Sequence, residues 1–103
     1  MTLREAGELN IEVWTYLRDH PEIARKWDLP DNFRNRIFRL RCMCPLCEVF
    51  LKDCLRCPLF KSDPYLVCFY YERWKQAKSN RGRAWAANKI VKLTQAWLDG
   101  LKD

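Results

Sequence analysis

Histidine, glycine and long apolar runs are scarce in this chain of 103 residues, and each scarcity removes a class of function. With His20 as the single histidine, no His-x-Glu or His-Glu-x-x-His pattern is available for a catalytic zinc. The three glycines form no Gly-rich phosphate loop. No stretch approaches the roughly 18–20 apolar residues of a spanning helix. The opening Met-Thr-Leu-Arg-Glu has no apolar run of the kind a signal peptide needs. The expectation is a soluble, cytoplasmic protein without a membrane partner. Internal repeats, low-complexity tracts and alternating polar and apolar segments are also missing, so no strand stands out.

What remains is rich in aromatics and in basic residues. Hydrophobic residues make up 49% of the chain, which argues against disorder. Five Trp, five Phe and four Tyr supply large side chains for a core. The length suits one domain over residues 1–103. Its parts read as N-terminal helices (1–41), a Cys-rich segment (42–68) and C-terminal helices (69–103). The fold class expected is mainly α, a small helical domain around a central Cys-rich zinc knuckle.

Helical periodicity supports this division. Thr2-x-x-Glu5 fits a capping box, and Leu3, Ala6, Leu9, Val13 and Leu17 follow at helical spacing. His20-Pro21 interrupts the stripe, and Pro21 can open a short helix reaching Trp27. His20 itself suits a capping or surface role. Phe33, Ile37 and Leu40 mark a helix over about 31–41. Tyr65 to Lys78 reads as another helix, with Leu66, Phe69, Tyr70, Arg73, Trp74 and Ala77 near one side. Ser79-Asn80-Arg81-Gly82 breaks it. A last helix from about Ala84 to Leu98 carries Ala86, Ala87, Ile90, Leu93, Thr94 and Trp97 on its apolar face, and Gly100 stops it.

Cysteine carries the clearest chemistry. Cys44-Pro-Leu-Cys47 and Cys54-Leu-Arg-Cys57 are two Cys-x-x-Cys pairs separated by six residues. Four thiolates so close suit one tetrahedral Zn²⁺ per chain. In a reducing compartment such pairs bind metal more often than they form disulfides. The preceding spacing also departs from the usual iron–sulfur run. Two ligand sets are open. One is Cys44, Cys47, Cys54 and Cys57. In the other, Cys68 replaces Cys54, a rival made serious by the short interval, since zinc ribbons usually place roughly fifteen to twenty residues there. Cys42, two residues before Cys44, reads as a packed or free thiol. A four-Cys site leaves no open position for water, so no enzymatic activity is expected.

From Cys44 to Trp74 the chain resembles a group of small, largely uncharacterised zinc-binding proteins of bacteriophage and prophage genomes. The residues that carry the likeness are Cys44-Pro-Leu-Cys47, Cys54-Leu-Arg-Cys57-Pro58-Leu59, Cys68 and Tyr71-Glu72-Arg73-Trp74. The group's Gly before the last Cys is absent here, and Phe69-Tyr70-Tyr71 replaces the Thr-Pro after it. The resemblance implies a viral context and a zinc-stabilised helical fold, and no reaction.

Charge points to a partner. Residues 1–41 hold eight Lys/Arg against seven Asp/Glu, whereas residues 42–103 hold eleven against six. Two clusters stand out. Arg34, Arg36, Arg39 and Arg41 read mainly as solvated stems over a core. Lys75, Lys78, Arg81 and Arg83, with no acid among them, read as a partner-binding loop between the last two helices. Tyr70, Tyr71, Trp74 and Trp85 interleave with this second cluster and could stack on bases. The function expected is a zinc-stabilised binding module, a phage-type inhibitor or adaptor docking on an acidic host protein. The alternative is a basic zinc-containing nucleic-acid-binding protein.

Overall fold

Thr2 opens the first helix as the sequence pattern requires. Its hydroxyl accepts the Glu5 N–H at 3.0 Å, and the Glu5 carboxylate accepts the Thr2 N–H at 2.9 Å, a complete capping box. In the computed structural model this helix, α1, spans Leu3–Asp19. The structure describes residues 2–25, 28–38, 45 and 69–101. Three further helices lie among them: α2 (Asp31–Phe38), α3 (Phe69–Gln76) and α4 (Asn80–Asp99). The described residues are therefore mainly helical, and none of them forms a strand. All six cysteines fall outside them, as do Arg39, Arg41 and the proposed helical stretch 65–68.

The core is a seam between α1 and α4. Ala6, Val13, Trp14 and Leu17 from α1 meet Ala86, Ala87 and Ile90 from α4, all fully buried. Gly7 lies beside Leu98, Asn10 beside Thr94, and Arg18 beside Asn88, so the helices run antiparallel. Gly7 is what permits the close approach at one end. A Cβ there would stand 2.6 Å from Leu98 Cδ2 and 2.9 Å from the Trp97 ring. A fully buried polar pair also crosses the seam: Asn10 Nδ2 donates to Thr94 Oγ1 at 2.9 Å, and that hydroxyl donates to the Ile90 carbonyl at 2.7 Å. Both residues are completely buried, and the paired groups avoid the cost of an unmade bond, about 1–3 kcal/mol.

The shorter helices close the sides. Trp74 of α3 is buried and meets Trp14 edge-on at 5.3 Å, with Tyr71 meeting the same ring at 5.8 Å. Such edge contacts are favoured by the ring quadrupole. On α2, Ile37 is buried and Phe33 packs on Tyr16, while Arg36 reaches Glu12 of α1 at 2.7 Å.

Several expectations are corrected. Leu3 continues the α1 stripe in sequence but is 44% exposed, because it sits at the very start of the helix. Pro21 starts no helix over 21–25. The segment turns instead, with the Ile23 N–H bonded to the His20 carbonyl. The last helix begins at Asn80, not near Ala84, because Ser79 caps it by accepting the Gly82 N–H at 3.0 Å. Asn80, Arg81, Gly82 and Arg83 thus form its first turn, and the link from α3 is only residues 77–79.

Candidate functional site

The four cations expected to form a partner-binding loop lie at the corner where α3 hands over to α4. Their situations differ sharply. Lys75 stands 3.7 Å from Glu72 and 5.6 Å over the Tyr71 ring. Arg83 is used internally: Nε donates to the Pro21 carbonyl at 2.6 Å, Nη1 to the Ala77 carbonyl at 3.2 Å and Nη2 to Asn80 Oδ1 at 2.7 Å. A planar guanidinium with several fixed donors suits this task. It ties the segment after α1 to the start of α4. Lys78 and Arg81 are different. Both are exposed, and neither makes a hydrogen bond or ion pair among the described residues.

Arg81 is also badly placed for stability. The first turn of α4 contains no acidic residue. A helix N-terminus carries a partial positive charge, so a cation there costs a fraction of a kcal/mol, about 0.3–1. Arg83 recovers that cost through its three acceptors, whereas Arg81 returns no contact of its own.

Trp85 stands one turn further along. It is 47% exposed, one of two exposed large hydrophobics among the described residues, and Tyr70 meets it edge-on at 5.8 Å. Lys89 lies 5.7 Å over its ring. Arg81, Trp85 and Lys89 recur every four residues and so share the outer face of α4. Of the aromatics interleaved with the basic cluster, Tyr71 and Trp74 belong to the core, and Trp85 is the one left in water. Trp85 and Lys89 thus join the surface although the charge cluster alone did not include them. The signal was available on the helical wheel, where Trp85 points away from Ala86, Ala87, Ile90 and Thr94.

Of the first basic cluster only Arg34 and Arg36 are among the described residues, and both behave as solvated structure; Arg39 and Arg41 lie outside them. Arg34 pairs with Asp31 and Arg36 with Glu12, both at exposed positions. Exposed pairs of this kind are worth little, about 0–1 kcal/mol. His20 caps α1: its N–H bonds to the Tyr16 carbonyl, its Nδ1 lies 3.0 Å from the same oxygen, and its ring stacks on Tyr16 at 4.0 Å. Among the described residues no group of three or more His, Cys, Asp or Glu could hold a metal ion. The candidate ligands Cys44, Cys47, Cys54, Cys57 and Cys68, like Cys42, lie outside the described residues. No described helix is long and apolar enough to cross a membrane.

No protein-family model, curated protein or solved structure matches the chain.

Proposed function

We propose that this chain is a small zinc-stabilised binding module that docks on an acidic host protein, acting as a phage-type inhibitor or adaptor. The observation that carries the docking reading is the α3–α4 corner, where Lys78 and Arg81 are exposed and make no hydrogen bond or ion pair among the described residues. Their field is not cancelled locally, since α3 and α4 with their link hold seven Lys/Arg against two Asp/Glu. Charge of one sign on a surface steers association and discriminates partners.

The zinc part rests on the donor set. Cys44, Cys47 and Cys57 are ligands in both candidate sets, and Cys54 or Cys68 completes the four. Structural zinc, when bound, contributes folding free energy, because the ligands converge only in the folded chain. Metal analysis should find one zinc per chain, and chelation should lower helicity and the melting temperature. Cys42→Ser should keep the metal, whereas Cys44→Ser, Cys47→Ser and Cys57→Ser should each lose it. Comparing Cys54→Ser with Cys68→Ser decides between the sets. Retention of full helicity after complete chelation sinks the structural role.

The docking test is affinity purification from the native host with and without nuclease, using wild type and the Lys78→Glu, Arg81→Glu double variant. The reading requires a protein that survives nuclease and is lost with the charge reversal. A second reading, nucleic-acid binding, is favoured by one observation, the exposed Trp85 ring among cations. Nuclease-sensitive recovery would favour it.

A further inference from the structure

A groove lies beside Trp85 that the basic cluster alone does not account for. Arg73, Gln76 and Ala77 of α3 and Gly82 and Trp85 of α4 line it, around a volume of about 270 Å³. Its lining is mixed, with Ala77 and Trp85 apolar, Gln76 polar and Arg73 cationic, and Arg81 and Lys89 flank Trp85 one turn away on each side along α4. Leaving an indole ring half in water forgoes the stabilisation that burying it would bring. Trp is also the side chain most often found as a binding hot spot, set in a pocket and ringed by polar groups.

Resting on the docking reading above, we infer that this groove takes an acidic segment of the partner protein that carries one apolar side chain. That side chain enters the groove and packs against Trp85. Carboxylates on either side of it reach Lys78, Arg81 and Lys89.

Three observations select this occupant. Lys89 already stands over the Trp85 ring, so a nucleobase stacking on that face would displace it, whereas a side chain in the groove meets the ring from the α3 side. The cations are few, because Lys75 is engaged with Glu72 and Arg83 with three acceptors. Nucleic-acid affinity grows with each phosphate contact, so Lys78, Arg81 and Lys89 alone give a weak electrostatic anchor. A second copy of the chain is a poor complement. The chain is itself basic, with 19 Lys/Arg against 13 Asp/Glu, so a copy brings net positive charge to a cationic corner.

The test uses the full-length protein with its metal retained, in about 0.15 M salt. Two dye-labelled synthetic peptides of equal negative charge are titrated by fluorescence anisotropy, one with a central Leu and one with Ser in its place. The Leu peptide should bind about tenfold more tightly, the discrimination expected of one apolar side chain entering a pocket. Trp85→Ala should erase that preference while leaving the weaker, charge-driven binding. Trp85→Phe should keep most of it, and far-UV dichroism checks that both variants fold. Lys78→Glu with Arg81→Glu should weaken both peptides alike.

If wild type shows no preference, or Trp85→Ala retains it, the groove is not the site. The docking reading survives that result provided the charge reversal still weakens both peptides. If neither peptide binds at up to about 1 mM, or charge reversal changes nothing, both fail. Tighter binding of an oligo(dT) strand than of either peptide overturns the inference in favour of nucleic acid. A concentration-dependent dimer that resists both peptides overturns it in favour of a second copy.

Discussion

Along the seam between α1 and α4, small and apolar residues let two backbones approach, and the buried polar pair, Asn10 and Thr94, is joined by a hydrogen bond. At the corner between α3 and α4, at the opposite end of the same long helix from the Gly7–Leu98 contact, the rules are reversed. Trp85 is left half in water, Arg81 sits at the positive end of its helix, and Lys78 and Arg81 make no hydrogen bond or ion pair among the described residues. One helix, α4, serves both regions: its inner face carries Ala86, Ala87, Ile90 and Thr94, and its outer face carries Arg81, Trp85 and Lys89. The difference teaches that one element can be packed on one side and left charged and exposed on the other, which under the proposed function draws stability and recognition from opposite faces. Arg83 is the bridge, a cation by type but a structural tie by its contacts.

The seam should break first. Trp14→Ala removes a fully buried ring that holds Tyr71 and Trp74 against α1. The expected loss is about 3–5 kcal/mol, read as a large drop in the urea midpoint. Affinity of the protein that remains folded should not change. A mild effect would mean that the aromatic cluster is not the keystone of the core.

Arg83→Ala should have an intermediate effect. It removes three hydrogen bonds from a charged donor, including the bond to Pro21. Stability should fall by about 1–2 kcal/mol, less than the sum of such bonds because the site is partly solvated. Partner affinity should stay nearly constant. Lost affinity at full stability would move Arg83 from the structural side of the comparison to the binding side.

The smallest effect lies at the far end of α1. The Glu5 carboxyl is held below its ordinary value, first by the Thr2 N–H and then by the Thr2 side chain. Because the folded carboxyl is the stronger acid, its contribution is complete above the unfolded pKa and is lost as pH falls through the lowered folded value. The first turn of α1 should therefore fray in acid, and the protection of the Ala6 amide, measured relative to its intrinsic exchange rate at each pH, should fall there. Glu5→Gln should remove that pH dependence, while exchange at the α3–α4 corner stays the same.

How much of this was legible in the sequence depends on the range of the interactions. The capping box at Thr2 and Glu5 and the stripe through Ala6, Leu9, Val13 and Leu17 are local, and both stand in the structure. The start of α4 was misplaced because Asn80 and Gly82 read as breakers, although the Ser79 hydroxyl makes them the first turn of a capped helix. That error hid the alignment of Arg81, Trp85 and Lys89 on one face. The role of Arg83 was not legible at all, since its shortest bond joins it to a carbonyl 62 residues away. The expected burial of Leu3 failed for a similar reason, because periodicity marks a face without saying how far the packed neighbour extends.

The most direct measurement on the division between seam and corner is Arg81→Glu, assayed for both stability and binding in protein shown to keep its helicity. Replacing a cation by an anion in the first turn of α4 should leave the melting temperature unchanged or slightly raised, by the equivalent of about 0.3–1 kcal/mol. Capture of the proposed acidic partner should fall at the same time, mainly through slower association. A variant that is clearly less stable and binds as well as wild type would contradict the account, because Arg81 would then belong to the structure and not to the surface.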